Sequence, residues 1–138
     1  MLSKKYLNAM IAVLVTAGAA LSASAQSNYP SKLVRIVVPY AAGGATDPLA
    51  RMVADNLSKQ FGQTFIVDNR AGAAARIGTN MVISSAPDGY TLLAAASGLA
   101  ITPLLYPKNA YNLEKDLTPI GVISQIPMLV VVAPKLSV

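Results

Sequence analysis

The chain has 138 residues, a formal net charge of +5 at pH 7, and neither cysteine nor histidine. The lack of these two residue types excludes Ser-His-Asp and Cys-His catalysis and ordinary zinc sites. It also excludes disulfide bonds, so the stability of the chain must come from buried apolar surface. Its basic residues are scattered singly, unlike the clustered basic face of a nucleic-acid-binding protein, and the length suits one modest domain.

The N-terminus has the pattern of an export signal. Lys4 and Lys5 form a positive region, residues 7–21 form an apolar run, and residues 23–25 are small. The apolar run is shorter than the roughly 20 residues that a spanning helix needs. We therefore expect cleavage after Ala25 and export to the periplasm.

A strand, a loop with two glycines and a helix come next. The apolar residues 33–38 predict a strand covered on both faces, as in the centre of a parallel sheet. A proline breaks this strand, and the loop's glycines permit positive φ. The helix is predicted to start with Thr46 or Asp47 as its N-cap and to end at Gly62. Its expected buried stripe comprises Leu49, Met52, Val53, Leu57 and Phe61.

The junction between this strand and this helix is a candidate anion site. Unpaired amides and the positive end of the helix dipole favour a carboxylate or phosphate there. The alternative is that the glycines only close a tight bend. A nucleotide-binding loop has little support, because no Walker A lysine follows Gly43 and Gly44 and the G-x-G-x-x-G spacing is absent.

Two further units of the same kind follow. Residues 64–68 predict a second strand, residues 69–75 a loop of small residues, and residues 77–85 a second helix. Residues 90–95 predict a third strand, with small residues again at 97–98. Ligands of open parallel sheets bind at the carboxyl ends of the strands, so the three loops should line one cleft.

The remaining chain reads as a mixture of short elements. We expect a helical turn over residues 101–106, a polar connection over 108–115, and two strands over 117–126 and 128–133 separated by Pro127. The whole pattern predicts an α/β fold with a mainly parallel sheet flanked by helices.

Four stretches in this order resemble a known family: residues 39–51, 69–73, 86–93 and 103–106. They resemble the Bug-type substrate-binding receptors of tripartite tricarboxylate transporters. The resemblance implies a type II periplasmic-binding-protein fold, in which two α/β lobes close on a ligand. Residues 26–138 would then supply most of one lobe, incomplete without a second lobe, as a fragment or as a truncated gene product.

The resemblance also implies a function. It indicates a receptor, not an enzyme, that captures a small carboxylate and delivers it to membrane permease subunits. The ligand would be a di- or tricarboxylate, an acidic amino acid or a related organic acid, without metal or cofactor. A truncated exported α/β remnant that binds nothing is the alternative, and an exported hydrolase ranks third because histidine is missing.

The resemblance assigns ligand binding mainly to the loop before the first helix, through backbone amides, short side chains and water. Asp47 would cap the helix or accept an amine, and Arg70 would either clamp a carboxylate or pair with Asp68 or Asp88. The candidate ligand-binding residues are Tyr40, Ala41, Ala42, Gly43, Gly44, Ala45, Thr46, Asp47, Arg70, Gly72, Ala73, Ser97 and Gly98.

The second loop departs from the family pattern Asn-Arg-Pro-Gly-Ala-Gly-Gly-Asn. Ala71 stands for the proline, Ala74 and Ala75 for the last two glycines, and Arg76 for the final asparagine. These changes should stiffen the loop and add a charge. Arg76 would either contact an anion or lie in solvent.

Overall fold

The structure, a computed structural model, describes residues 29–109, 111–127 and 129–135. The predicted export signal lies outside these residues. No helix within the three described ranges combines the length and the apolar character needed to cross a membrane.

Three parallel strands form the sheet: β1 (Val34–Val38), β2 (Phe65–Asn69) and β3 (Thr91–Leu93), in the order β2-β1-β3. The predicted central place of β1 is confirmed, and its burial explains its almost continuous apolar sequence. The second strand lies one residue later than predicted, and the third is shorter than predicted. The predicted parallel α/β class is therefore correct.

Four helices accompany the sheet: α1 (Thr46–Phe61), α2 (Arg76–Ile83), α3 (Gly98–Leu105) and the short α4 (Leu113–Asp116). A 3-10 turn, Pro107–Asn109, precedes α4. The connections from β1 to β2 and from β2 to β3 cross the sheet in opposite directions. Right-handed crossovers therefore place α1 and α2 on opposite faces, which buries β1 from both sides.

Helix α1 ends as predicted, and its buried face agrees only in part with the predicted stripe. Gly62 has a φ of 65°, and its N–H donates to the carbonyl of Ser58, so the glycine ends the helix. The fully buried residues of α1 are small or polar: Asp47, Ala50 and Ala54. Met52 is 60% exposed and Phe61 is 45% exposed, so their predicted burial is wrong. The other predicted residues, Leu49, Val53 and Leu57, are half-buried, and Val53 and Leu57 pack against the core.

The helical turn predicted at 101–106 is the second half of a longer helix, because α3 already starts at Gly98. The two strands predicted near the end are wrong for the described residues. Residues 117–127 and 129–135 contain no strand, and their apolar side chains are exposed except for the half-buried Leu117. A β-prone sequence forms a strand only where a neighbouring strand offers hydrogen-bonding partners, and none pairs with these residues here.

Candidate ligand-binding site

The loops that follow the three strands meet at one edge of the sheet. The Tyr40 hydroxyl accepts a hydrogen bond from the Ala96 N–H at 3.2 Å, which joins the first loop to the third. The Asn69 side-chain amide donates to the Tyr40 carbonyl at 3.3 Å, which joins the end of β2 to the first loop. The expected convergence of the three loops is thus present, and Tyr40 is its centre.

A shallow, mainly apolar depression of about 390 Å³ lies between these loops and opens to solvent. Of the predicted site residues, the depression includes Tyr40, Ala41, Gly72 and Gly98. The others lie outside its lining: Ala42, Gly43, Gly44, Ala45, Thr46, Asp47, Arg70, Ala73 and Ser97. Five further residues complete the lining: Pro39, Ala71, Ala74, Ala75 and Thr102.

The carboxylate of Asp47 lies at the base of the first loop, and the residue is only 5% exposed. It accepts hydrogen bonds from the Gly43 N–H at 2.9 Å, from Arg51 Nε at 3.1 Å and from Asn69 Nδ2 at 3.0 Å. The predicted capping role is wrong, since the N-cap of α1 is Ala45 and no side chain caps this helix end. Asp47 is the second residue of α1, and its carboxylate contacts Gly43 in the preceding loop and Asn69 at the end of β2.

These contacts decide the charge of Asp47 and the availability of the loop amides. The Gly43 N–H, with help from Arg51 and Asn69, holds the pKa of Asp47 below its ordinary value although burial opposes this. Asp47 is therefore ionised near neutral pH, and it occupies the Gly43 amide that the sequence offered to a ligand. In the described part of the chain, no acceptor meets the N–H of Ala42 or Ala45, so these amides remain available.

Only one of the two loop glycines has the conformation that requires glycine. Gly43 has a φ of 79°, whereas Gly44 lies outside the positive-φ region. A Cβ on Gly44 would nevertheless lie 3.2 Å from the Ala41 carbonyl oxygen. A side chain at position 44 would therefore be tight against Ala41, although the φ of Gly44 does not require glycine.

The second loop contains three successive alanines with positive φ: Ala73 at 49°, Ala74 at 54° and Ala75 at 70°. This conformation costs an L-residue on the order of 1 kcal/mol, and glycine escapes the cost. Two threonines hold the strained backbone. Thr102 donates to the Ala74 carbonyl at 3.2 Å, and Thr79 donates to the Ala75 carbonyl at 2.9 Å.

The sequence did not identify Thr102 and Thr79 as residues that shape the site. Both are buried polar residues on short helices. The sequence signal that could have identified them is a threonine within an apolar helical stretch. Such a threonine is expected to be buried, and its buried hydroxyl needs a hydrogen-bond partner. Their partners, however, lie in a loop whose position depends on the tertiary fold.

Arg70 does not line the depression. Its Nε lies 2.9 Å from an Asp68 carboxylate oxygen, and Arg35 contacts the other oxygen at 3.1 Å. Of the two roles considered for Arg70, the ion pair with Asp68 is therefore the one observed. Among the described residues, no three acidic side chains gather in a group that could hold a metal ion.

Comparisons with known proteins agree with this architecture. The family model for the tripartite tricarboxylate transporter family receptor matches residues 49–138. Protein BugT of Bordetella pertussis is 40% identical over 126 residues, which are 90% of this chain and 38% of that protein. A UPF0065 protein from the TAR-I ttuE-ttuC' intergenic region of Agrobacterium vitis is 44% identical over 122 residues, or 88% and 35% of the two chains.

A solved structure, that of a periplasmic transporter, is similar to this chain with a TM-score of 0.55 and 44% sequence identity. The similarity covers 58% of this chain and 27% of that one. The chain thus spans well under half the length of the relatives it matches. The family model covers more than half of the chain, from α1 through β2 and β3 to the last residue. The chain belongs to the tripartite tricarboxylate transporter receptor family.

Proposed function

We propose that residues 26–138 form most of one lobe of a periplasmic receptor that captures a small carboxylate for the permease subunits of a tripartite tricarboxylate transporter. Family membership supports the receptor class. The observation that carries the proposal is the meeting of three strand-end loops around one depression, tied together by Tyr40. This is the place where open parallel sheets bind ligands.

The chemistry of the depression suits a carboxylate with a hydrocarbon body. No charged side chain is in its lining. The carboxylate would therefore lie at the edge of the depression, held by backbone N–H groups of the first loop outside the lining, those of Ala42 and Ala45 in particular, at the positive end of α1. The Asp47 charge behind the loop is offset by its ion pair with Arg51. The alanine and proline side chains would pack against the apolar part of the ligand.

The open side of the depression limits the affinity. A ligand there would stay exposed to water on one side, whereas small-molecule sites usually bury most of the ligand surface. We therefore expect this chain by itself to bind carboxylates with dissociation constants weaker than about 1 μM. The same openness favours the second candidate, an exported α/β remnant that binds no ligand.

Amide chemical-shift titrations separate the two candidates. Citrate, succinate and glutamate should shift the amides of Ala42 and Ala45 saturably, and Gly44→Val should remove the effect because its Cβ would disturb the loop at Ala41. Gly121→Val is the matched control, since a Cβ at Gly121 meets no atom within 4 Å. If none of the carboxylates shifts these amide resonances, the result favours the second candidate, the remnant that binds no ligand. Full binding by a folded Gly44→Val protein would show that the ligand lies elsewhere.

A further inference from the structure

A second depression, of about 370 Å³, lies beside the first and differs from it in charge. Its lining consists of Arg76, Leu105, Tyr106, Pro107 and Lys108. Ala75 lines the first depression, and the next residue, Arg76, lines the second. On α3, Thr102 lines the first depression and Leu105 lines the second. Three residues of a helix correspond to about 4.5 Å along its axis, so the two depressions are neighbours.

The guanidinium of Arg76 is held in place from two sides. Its Nε donates to the Ala73 carbonyl at 2.9 Å, and its central carbon lies 4.6 Å from the centroid of the Tyr106 ring. These contacts leave the terminal nitrogens of the guanidinium without a protein acceptor among the described residues. A planar group fixed in this way loses little entropy when it binds an oxyanion through two parallel hydrogen bonds.

No carboxylate of the described residues balances the charge of this depression. None of the described acidic side chains forms an ion pair with Arg76 or Lys108. The ion pairs among the described residues join Asp47, Asp68 and Asp88 to other basic side chains. Two positive side chains line one small concavity without a carboxylate. An anion placed there would relieve their mutual repulsion and satisfy the free donors of Arg76.

We propose that the depression formed by Arg76, Tyr106 and Lys108 is an oxyanion-binding site. It accepts a carboxylate or a phosphate. The oxyanion has two possible sources: a second acidic group of a ligand whose first carboxylate is held at the edge of the neighbouring depression, or a free anion. The first source rests on the proposed function, whereas the second does not.

Titration with inorganic phosphate at constant ionic strength tests the site directly. The full chain should show saturable shifts of the Tyr106 ring resonances and of the Arg76 Nε–H. Arg76→Gln should weaken phosphate binding about tenfold or more, because it removes a charged donor, and Lys108→Gln should weaken it by a smaller factor. Lys59→Gln, at an exposed lysine in the last turn of α1, removes the same charge elsewhere and should leave binding unchanged.

Two results would overturn the proposal: phosphate shifts that do not saturate, or equal phosphate binding by the Arg76→Gln and Lys59→Gln proteins. If Arg76→Gln does not fold, the comparison of Lys108→Gln with Lys59→Gln decides, since Lys108 is exposed and its replacement leaves the packing intact.

A comparison of succinate with butyrate identifies the source of the oxyanion. If the site takes the second acidic group of a ligand, the wild-type chain prefers succinate, and Arg76→Gln brings the two affinities together. If the site takes a free anion, phosphate binds but the affinity ratio is the same in both proteins. A chain that binds no carboxylate at all would contradict the proposed function, while the phosphate titration would still decide this site.

Discussion

A single buried carboxylate, that of Asp47, connects three parts of the molecule. Its partners are the Gly43 amide in the first loop, Arg51 one turn along α1, and Asn69 at the end of β2. Asn69 in turn bonds to the Tyr40 carbonyl, so the shape of the first loop depends on a side chain that touches no ligand in the proposed site. We regard Asp47 as a positioning residue.

Removing the charge of Asp47 should destabilise the fold in a pH-dependent way. Because its pKa is lowered in the folded state, the ionised form contributes stability above its ordinary pKa, and this contribution is lost as the pH falls through the folded-state pKa. Asp47→Asn should therefore lower the urea midpoint at pH 7, and the difference from wild type should shrink below about pH 4. Urea denaturation at several pH values measures both effects.

Asp55→Asn is the matched control, because Asp55 is an exposed residue of the same helix. It should leave the midpoint unchanged at every pH. Equal midpoints for Asp47→Asn and wild type at pH 7 would show that the negative charge of Asp47 adds nothing to stability.

Helix α2 contacts the residues that follow β1 and β2 at a point where only glycine fits. A Cβ on Gly78 would lie 2.8 Å from the Pro39 Cβ and 2.9 Å from the Arg70 carbonyl oxygen. Both distances are shorter than real Cβ contacts, so the helix lies as close as a bare backbone permits. The contact places α2 directly beneath the first and second loops.

Gly78→Ala should force α2 away from Pro39 and cost about 1–3 kcal/mol, the usual range for overpacking. Equilibrium denaturation measures the change in the free energy of unfolding. Gly121→Ala provides the control, since its new Cβ would meet no atom within 4 Å. A Gly78→Ala protein as stable as wild type would mean that α2 can shift without penalty.

The elements that the sequence predicted well are those defined by strong local signals. The apolar run of β1, the breaker Pro39 and the stop at Gly62 act within a few residues, so the bounds of β1 and α1 were predictable to within one or two residues. The start of α3 was not, because Gly98 is a poor helix former and its place in a helix is decided by packing. The fixed order of strand, loop and helix predicted which loops share the edge of the sheet.

The contacts within the site were beyond local reasoning. The bond between Tyr40 and Ala96 joins residues of different loops, and Thr102 acts on Ala74 from another helix. Asp47 looked like a cap because capping is the commonest use of an aspartate at a helix start. Its partners Gly43 and Arg51 are local, but its contact with Asn69 forms only because β2 lies beside β1.

At the scale of the whole molecule, the apolar residues after α4 lie on the surface. Ile120, Val122, Leu129, Val130 and Val131 are all largely exposed, and Val130 is 97% exposed. Exposed runs of this kind tend to pair with other chains or with further apolar surface. The β-propensity that suggested strands here is real, but it finds no sheet edge within the described residues.

We expect the chain to self-associate as its concentration rises. Val130→Lys should reduce this association, because a charge in the middle of the run opposes its burial. Met52→Lys, at an exposed position on α1, adds the same charge elsewhere and should have little effect. Sedimentation velocity over a range of concentrations measures the distribution of species. A chain that stays monomeric throughout would contradict the expectation.

The all-parallel sheet also governs how the chain reaches its fold. Val34 pairs with Phe65, and Arg35 pairs with Thr91, so a whole helical crossover separates each strand from its neighbour in the sheet. The described strands form no hairpin that could serve as a local nucleus, and the entropy of closing these loops must be lost before either ladder forms. We therefore expect the sheet to fold slowly compared with a meander of similar size. Because β1 is the central strand, neither ladder forms without it. Weakening β1 would slow refolding as well as lower stability.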